Sequence, residues 1–403
     1  MSRPVPAAAI WALGATQIVG YGTLYYSFSV LAPSFGETFG WSQEWVYAAL
    51  SLSLLAGGIA APIAGGLVDR FGAGRVMTIG SVLAALGFVV AAFAQNGVWF
   101  AAALIAMEVI SSLVLYATAF AALVRIGGKE AQRSITHLTL IAGFASTLFW
   151  PLTAGLIQVM DWRGVYLVFA ALNLFLCAPL HWWVGTLEGP DEVTPAATVE
   201  AEPAKSRSGI SLIFLLMMAG FAIEGFILSA VLNHIAPLLT MLGLAGPSIL
   251  ITTLFGPAQV LSRFVNMLFG KGLRQTHLTI IAAALPGLGV LALALGGPSA
   301  LAGMVFALLF GLGSGLTSIV SGSLPLELFG RHRYGSRLGW LSSARQIASA
   351  VAPFGLAVAI GKMGIVPALF MVVAMATAAT CVFALIAGRE ADTRDAGNNV
   401  AIG

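Results

Sequence analysis

Four ionisable residues lie where water should be scarce. Glu108, Glu224, Arg263 and Arg345 each fall well inside a long apolar run of the 403-residue chain. A charged side chain at the middle of a bilayer costs about 2.5–3.5 kcal/mol on insertion scales, so such a residue marks a functional position by default. Two kinds of chemistry are on offer. An arginine presents a planar fork suited to a carboxylate. A mid-membrane glutamate can load and unload a proton as its surroundings alternate between two aqueous phases. The plainer alternative is that the four pair as Glu–Arg bridges that only hold helices together.

Polar residues of the same runs add a lining. Gln17, Tyr21, Tyr25 and Tyr26 in the first run and Tyr116 in the fourth suit a solute site, and equally suit interfacial anchoring. The remaining chemistry is sparse. The five histidines are dispersed, so no metal-ligand spacing is formed. Cys177 and Cys381 sit far apart in apolar runs and offer neither a CxxC pair nor a disulfide framework. No Walker loop or nucleotide domain is present. The G-x-G spacing in "GLGSGLTSIVSGS" (311–323) lacks the preceding strand a dinucleotide site needs, and reads as small residues allowing close helix approach. No cofactor and no metal are expected. The net charge of +3 follows the membrane rather than a nucleic acid.

Composition says what must position these residues. Apolar residues make up 59% of the chain and charged ones 9%, too few charges to cover a soluble protein of this size. The chain therefore reads as an all-α membrane protein. A span needs about 20 apolar residues, and breaks at Gly, Pro and charge clusters divide the chain into twelve. The first six are 8–35, 45–68, 76–95, 98–124, 134–159 and 164–186. The second six are 210–236, 246–270, 277–296, 299–325, 337–361 and 365–388. The initial run, with Arg3 before it and Thr16 and Gln17 within it, reads as the first span and not as a cleaved signal.

Basic residues set the orientation. Those in the loops from Arg70 and Arg75 to Arg331, Arg333 and Arg337 share one side with Arg3 and Arg389, whereas only Arg163 and Lys362 lie opposite. Both termini are expected in the cytoplasm, with the protein in the plasma (bacterial inner) membrane. Residues 188–209, "EGPDEVTPAATVEAEPAKSRSG", are acidic, Pro-rich and without an apolar face, and read as a flexible cytoplasmic linker. They separate a six-helix bundle at 1–187 from a second at 210–390, with a polar, disordered tail at 391–403. Two such bundles, related by a pseudo-two-fold axis, suggest a duplicated transporter rocking around a central site.

One loop is more specific. In "AGGLVDRFGAGRV" (64–76), between spans two and three, Gly65, Leu67, Asp69, Arg70, Phe71, Gly72 and Arg75 resemble the loop signature of the major facilitator superfamily, roughly G-x-L-x-D-R-x-G-R-R/K. Ala73 and Gly74 depart from it where basic residues are usual. The corresponding loop of the second half, "SRFVNMLFGKGLRQ" (262–275), keeps Arg263, Gly270, Lys271 and Arg274 but has no Asp. The resemblance implies that spans three, six, nine and twelve face lipid, so all four intramembrane charges fall on cavity-side spans. It further implies that Asp69 and its basic neighbours latch a cytoplasmic gate toward span eleven, near Arg337.

The implied function is secondary active transport by alternating access, with proton coupling. At 1.5 Å per residue, Glu108 and Glu224 lie near mid-membrane and the two arginines roughly 10 Å from the cytoplasmic face. Gly256-Pro257 should break the eighth helix just before Arg263 and free backbone groups toward a cavity. Arg263 also resembles the span-eight Arg of the monocarboxylate and oxalate/formate branches. The favoured solute is a small organic anion such as a monocarboxylate, carried by a monomer in the lipid bilayer. The rival is a permease exporting drugs or other toxic solutes, metalloids included. Trp150-Pro151 replaces the span-five Gly-Pro of proton-drug antiporters, and the cysteines lie on lipid-side spans, which weakens both forms of that rival. A non-transporting sensor or enzyme would need a signalling domain or a nucleophile–base constellation, and neither is found.

Overall fold

The computed structural model describes residues 4–128, 131–189, 211–270 and 272–402, with 391–402 and Ala236 described by backbone alone. A chain this apolar must satisfy its backbone groups within each segment, and it does so as helices. Eleven helical segments are long and apolar enough to cross a bilayer. Residues 7–39, helical throughout but interrupted by a π-helical turn at Gly22–Tyr26, make the twelfth. Spans two and three are Gln43–Phe71 and Ala73–Ala92, joined at Gly72, whose φ of 91° only glycine adopts without strain. Span four is two helices, Gly97–Ser111 and Tyr116–Gly127, and span five is Ala131–Ala142 and Ala145–Leu156. Span six carries a second π turn, Asn173–Cys177, between Trp162–Leu172 and Ala178–Leu187. Spans seven to twelve run unbroken as Leu212–Met241, Ser248–Phe269, Gln275–Gly296, Ala300–Phe329, Tyr334–Met363 and Ile365–Ile402. The architecture is two six-helix bundles.

Three local expectations need correction. Span eight does not break at Gly256-Pro257; the helix passes through Pro257 and Arg263 projects from a regular turn. A proline in a membrane helix is tolerated where neighbouring groups make up for the lost bond. The breaks fall instead in spans four and five, at 112–115 and 143–144, where no proline occurs. The helix of span twelve continues in the backbone past 390, through a stretch without proline. Glu188, assigned to the linker, is anchored to the first bundle; residues 190–210 lie outside the described residues.

The apolar core shows how the bundles meet. One cluster joins both halves, with Val68, Met77 and Phe120 packed together with Phe221, Leu278, Leu324 and Leu338. The other two stay within single bundles: Phe35, Phe88 and Phe169 in the first, Ile251, Phe306 and Leu369 in the second. The shared cluster lies at the end carrying the Asp69 loop and most of the basic residues. The bundles thus pack together at this basic end, where a cavity of about 620 Å³ also opens between Arg133 and Thr136 of span five and Asn266 and Glu327 of spans eight and ten.

Candidate functional site

Small residues bring spans two and eleven into contact at the basic end. A Cβ on Gly65 would stand 2.2 Å from the Gly335 carbonyl oxygen, and one on Gly339 would stand 2.5 Å from that of Ala61. Glycine is required at both positions for backbones to approach this closely. The approach delivers Asp69 to the first turn of span eleven. Its Oδ1 accepts from the Gly335 amide at 2.8 Å, and its Oδ2 accepts from the Ser336 amide at 2.8 Å and from the Ser336 hydroxyl. These amides have no partner within their own helix, and a carboxylate there also meets the positive end of the helix dipole. Arg337 is engaged elsewhere, donating to the Phe329 and His332 carbonyls at 2.8 Å each. Asp69 therefore grips the helix terminus of span eleven directly, with Arg337 nearby but not hydrogen-bonded to it. Arg70 stacks over Phe71, and Arg75 is exposed.

The departure at Ala73 and Gly74 also has a physical reason. Glu188, just past span six, accepts from both of their amides and pairs with Arg125 of span four at 2.8 Å. A Cβ on Gly74 would lie 2.2 Å from the Gly185 Cα, so no larger residue fits against span six. Burial pushes the Glu188 carboxyl up, against the opposing pull of the Gly74 amide, Arg125 and the Ala73 amide.

Farther in, the four intramembrane charges do not form Glu–Arg bridges with one another among the described residues. Arg263 is 6% exposed and ties the bundles together. Its Nη1 donates to the Thr139 carbonyl of span five at 3.1 Å, and its Nε donates to the Ser318 hydroxyl of span ten at 3.1 Å and, more weakly, to the Gly315 carbonyl. The break in span five makes room for it, since a Cβ on Gly143 would stand 2.3 Å from Nη1. Arg345 is different. It packs on Gly225 of span seven, is partly exposed, and makes no hydrogen bond or ion pair among the described residues. It lies near Tyr21 and Tyr25 of span one and beside Glu224, while Tyr26 and Tyr116 lie near Arg263 as well as Arg345.

Glu224 is 2% exposed. Oε2 accepts from the Thr317 hydroxyl at 3.0 Å, while Oε1 has no partner. Glu108 lies apart from the arginines. Ser111 donates to its Oε1 at 3.3 Å, and the carboxyl borders a cavity of about 20 Å³ inside the first bundle, with Thr23, Ser53 and Tyr166 among its lining. A space of this size holds one water. Gln17 donates to the Val114 carbonyl at 2.7 Å, a group freed by the break in span four, and its Oε1 is left unpartnered.

These buried, half-satisfied polar groups inside paired six-helix bundles suit a solute path through a membrane protein. The family model of the Major Facilitator Superfamily matches residues 13–353. The chain belongs to that superfamily. This major facilitator protein is accordingly a multi-pass membrane transporter, and proteins of its family bind small-molecule solutes. Human Monocarboxylate transporter 11 is 30% identical over 175 residues, which are 43% of this chain and 36% of that protein, so the match spans about a third of the relative's length. Among solved structures, the proton:xylose symporter XylE bound to 6-bromo-6-deoxy-D-glucose has a TM-score of 0.73 at 14% identity, covering 93% of this chain and 95% of that one. The human organic anion transporter MFSD10 (TETRAN) has a TM-score of 0.72 at 13% identity, covering 94% and 100%. FucP in the outward conformation has a TM-score of 0.70 at 15% identity, covering 93% and 98%. These structures show the fold alone.

Of the residues singled out by sequence, Tyr25, Tyr26 and Glu224 lie near Arg345, and Tyr26 lies near Arg263 as well. Glu108 and Gln17 belong to the interior of the first bundle. Sequence reasoning missed Thr139, Ser318, Thr317 and Glu188. The first three are common small polar residues whose role exists only through a partner on another span. Glu188 was hidden by the acidic linker that follows it.

Proposed function

We propose that this transporter moves a small organic anion by alternating access, coupled to protons, with Arg345 as the principal ligand of the anionic group. The observation that carries the reading is a guanidinium within a membrane span that makes no hydrogen bond or ion pair among the described residues. An intramembrane cation without a hydrogen-bonded anion is costly, and a solute carboxylate would supply that partner through a bidentate contact while Glu224 is protonated. Arg263 takes the second place: its remaining donors can receive the anion once the contact to Thr139 opens. The name of the human relative, a monocarboxylate transporter, agrees with this solute class.

Glu224 is the proposed proton carrier. It lies beside Arg345, and its unpartnered Oε1 is a place for a proton. Loss of the proton leaves a carboxylate that competes with the solute for Arg345, which couples the two movements. The basic end is the proposed cytoplasmic side, by the positive-inside rule, in a plasma membrane with both termini inside.

Solute counterflow in proteoliposomes tests the assignment. Arg345→Ala should lower apparent affinity for a transported carboxylate about 10- to 100-fold, the range for a lost charge-assisted bond. Full anion counterflow in Arg345→Ala would sink the reading.

A further inference from the structure

An anionic head on Arg345 would account for only part of a solute. Four of the chain's seven tyrosines gather opposite Arg345: Tyr21, Tyr25 and Tyr26 on the π turn of span one and just before it, and Tyr116 where span four resumes. Tyr21 and Tyr116 lie 4.6 Å apart by ring centroids, and Tyr25 and Tyr26 lie 5.2 Å apart edge to face. Trp150 extends the wall, 5.8 Å from Tyr26 and again edge to face. Its indole N–H donates to the Tyr26 carbonyl at 3.1 Å, which fixes the ring.

Two features separate this wall from ordinary packing. Aromatic residues that anchor a membrane protein sit at the ends of spans, whereas the π turn lies in the middle of residues 7–39. π turns inside helices are frequent at functional sites because they re-aim side chains. Further, Tyr25 is 51% and Trp150 48% exposed, although their neighbours Tyr21, Tyr26 and Phe149 are more covered. Tyr25 also lies near both Arg345 and Glu108. Rigid rings, each at right angles to Tyr26 and each with about half its surface left uncovered, can receive another ring.

We propose that the solute is an aryl or arylalkyl carboxylate, its carboxylate on Arg345 and its ring against Tyr25 and Trp150. This rests on the anion reading and narrows it: a small aliphatic acid would leave the aromatic wall without a partner. Trp150, standing where proton-drug antiporters have a glycine, becomes a specificity residue.

The test uses matched pairs of equal charge and similar size, benzoate against cyclohexanecarboxylate and phenylacetate against hexanoate, bound to the purified full-length protein by calorimetry. The aryl member should bind about two- to tenfold tighter, the usual advantage of a ring–ring contact beyond its area. Tyr25→Leu and Trp150→Leu should each bring the ratio toward one, and Tyr25→Phe should keep it. If both members bind equally and both are lost in Arg345→Ala, the aromatic proposal falls while the anion reading stands. If the aryl acid binds Arg345→Ala as tightly as the wild type, the anion reading falls first. If no acid binds, both fall. An aryl preference that survives in Tyr25→Leu and Trp150→Leu also overturns the proposal.

Discussion

Replacing Asp69 by Asn removes a charge but almost no volume, so its effect isolates the bond across the bundles. Asp69 accepts three hydrogen bonds from the first turn of span eleven. Hydrogen bonds to a charged group contribute about 1.5–3 kcal/mol each, and the helix dipole adds about 0.3–1 kcal/mol. Asparagine keeps one acceptor oxygen but turns an amide N–H₂ toward Ser336, so about 2 kcal/mol is lost in net terms. The bond exists only while the bundles touch, so the loss shifts the closed–open equilibrium of the basic end by about 30-fold. The reporter is a cysteine at Phe120, in a background with Cys177 and Cys381 replaced by alanine. Phe120 is 2% exposed and packs on Gly322 of the opposite bundle, so it is shielded while this end is closed. Asp69→Asn should raise its thiol-labelling rate about 10- to 30-fold, slow solute exchange, and leave solute binding intact. Gly65→Ala is the companion perturbation: its Cβ would meet backbone oxygen at 2.2 Å and must push the spans apart without touching charge. If Gly65→Ala raised labelling and Asp69→Asn did not, glycine packing alone would hold this end and the reasoning about Asp69 would be refuted.

Two further outcomes are expected beside those for Arg345 and the aromatic wall. Glu224→Gln should flatten the pH dependence of solute exchange while leaving counterflow at saturating solute; an unchanged pH profile would remove Glu224 from the proton path. For Glu188, burial sets the sign. A carboxyl raised in the folded state contributes stability that is complete below its ordinary range and is lost as pH climbs through the raised value. The wild-type thermal midpoint should therefore fall relative to Glu188→Gln between mildly acidic and neutral pH, and parallel curves for the two proteins would overturn the assignment.

Much of the architecture was legible because a bilayer leaves so few alternatives. Twelve apolar runs, the one-sided basic loops and the Asp69 signature follow from hydrogen-bond satisfaction, charge placement and a tight glycine turn, and each of these leaves a mark in one dimension. Helix regularity was less legible. Pro257 looked like a break and is not one, whereas span four breaks at Ser112 and Val114 with no proline to announce it. Backbone continuity in a membrane depends on what neighbouring helices offer, such as Gln17 for the Val114 carbonyl.

The sharpest division lies between the two arginines. By sequence, Arg263 and Arg345 share residue type, depth and a cavity-side span, and Arg263 is the one favoured for function, by Gly256-Pro257 before it and by its resemblance to a span-eight Arg. Sequence determined that two buried guanidiniums must be accommodated. Tertiary structure decided which one is already satisfied. Arg263 meets Thr139, Ser318 and Gly315 because a glycine in span five and small residues in span ten bring polar groups within reach, while Arg345 packs on Gly225 with no hydrogen bond among the described residues. The depth of a residue in the membrane follows from its position along the chain, but its partners depend on how helices are rotated and paired, and only the packing of one bundle against the other sets that.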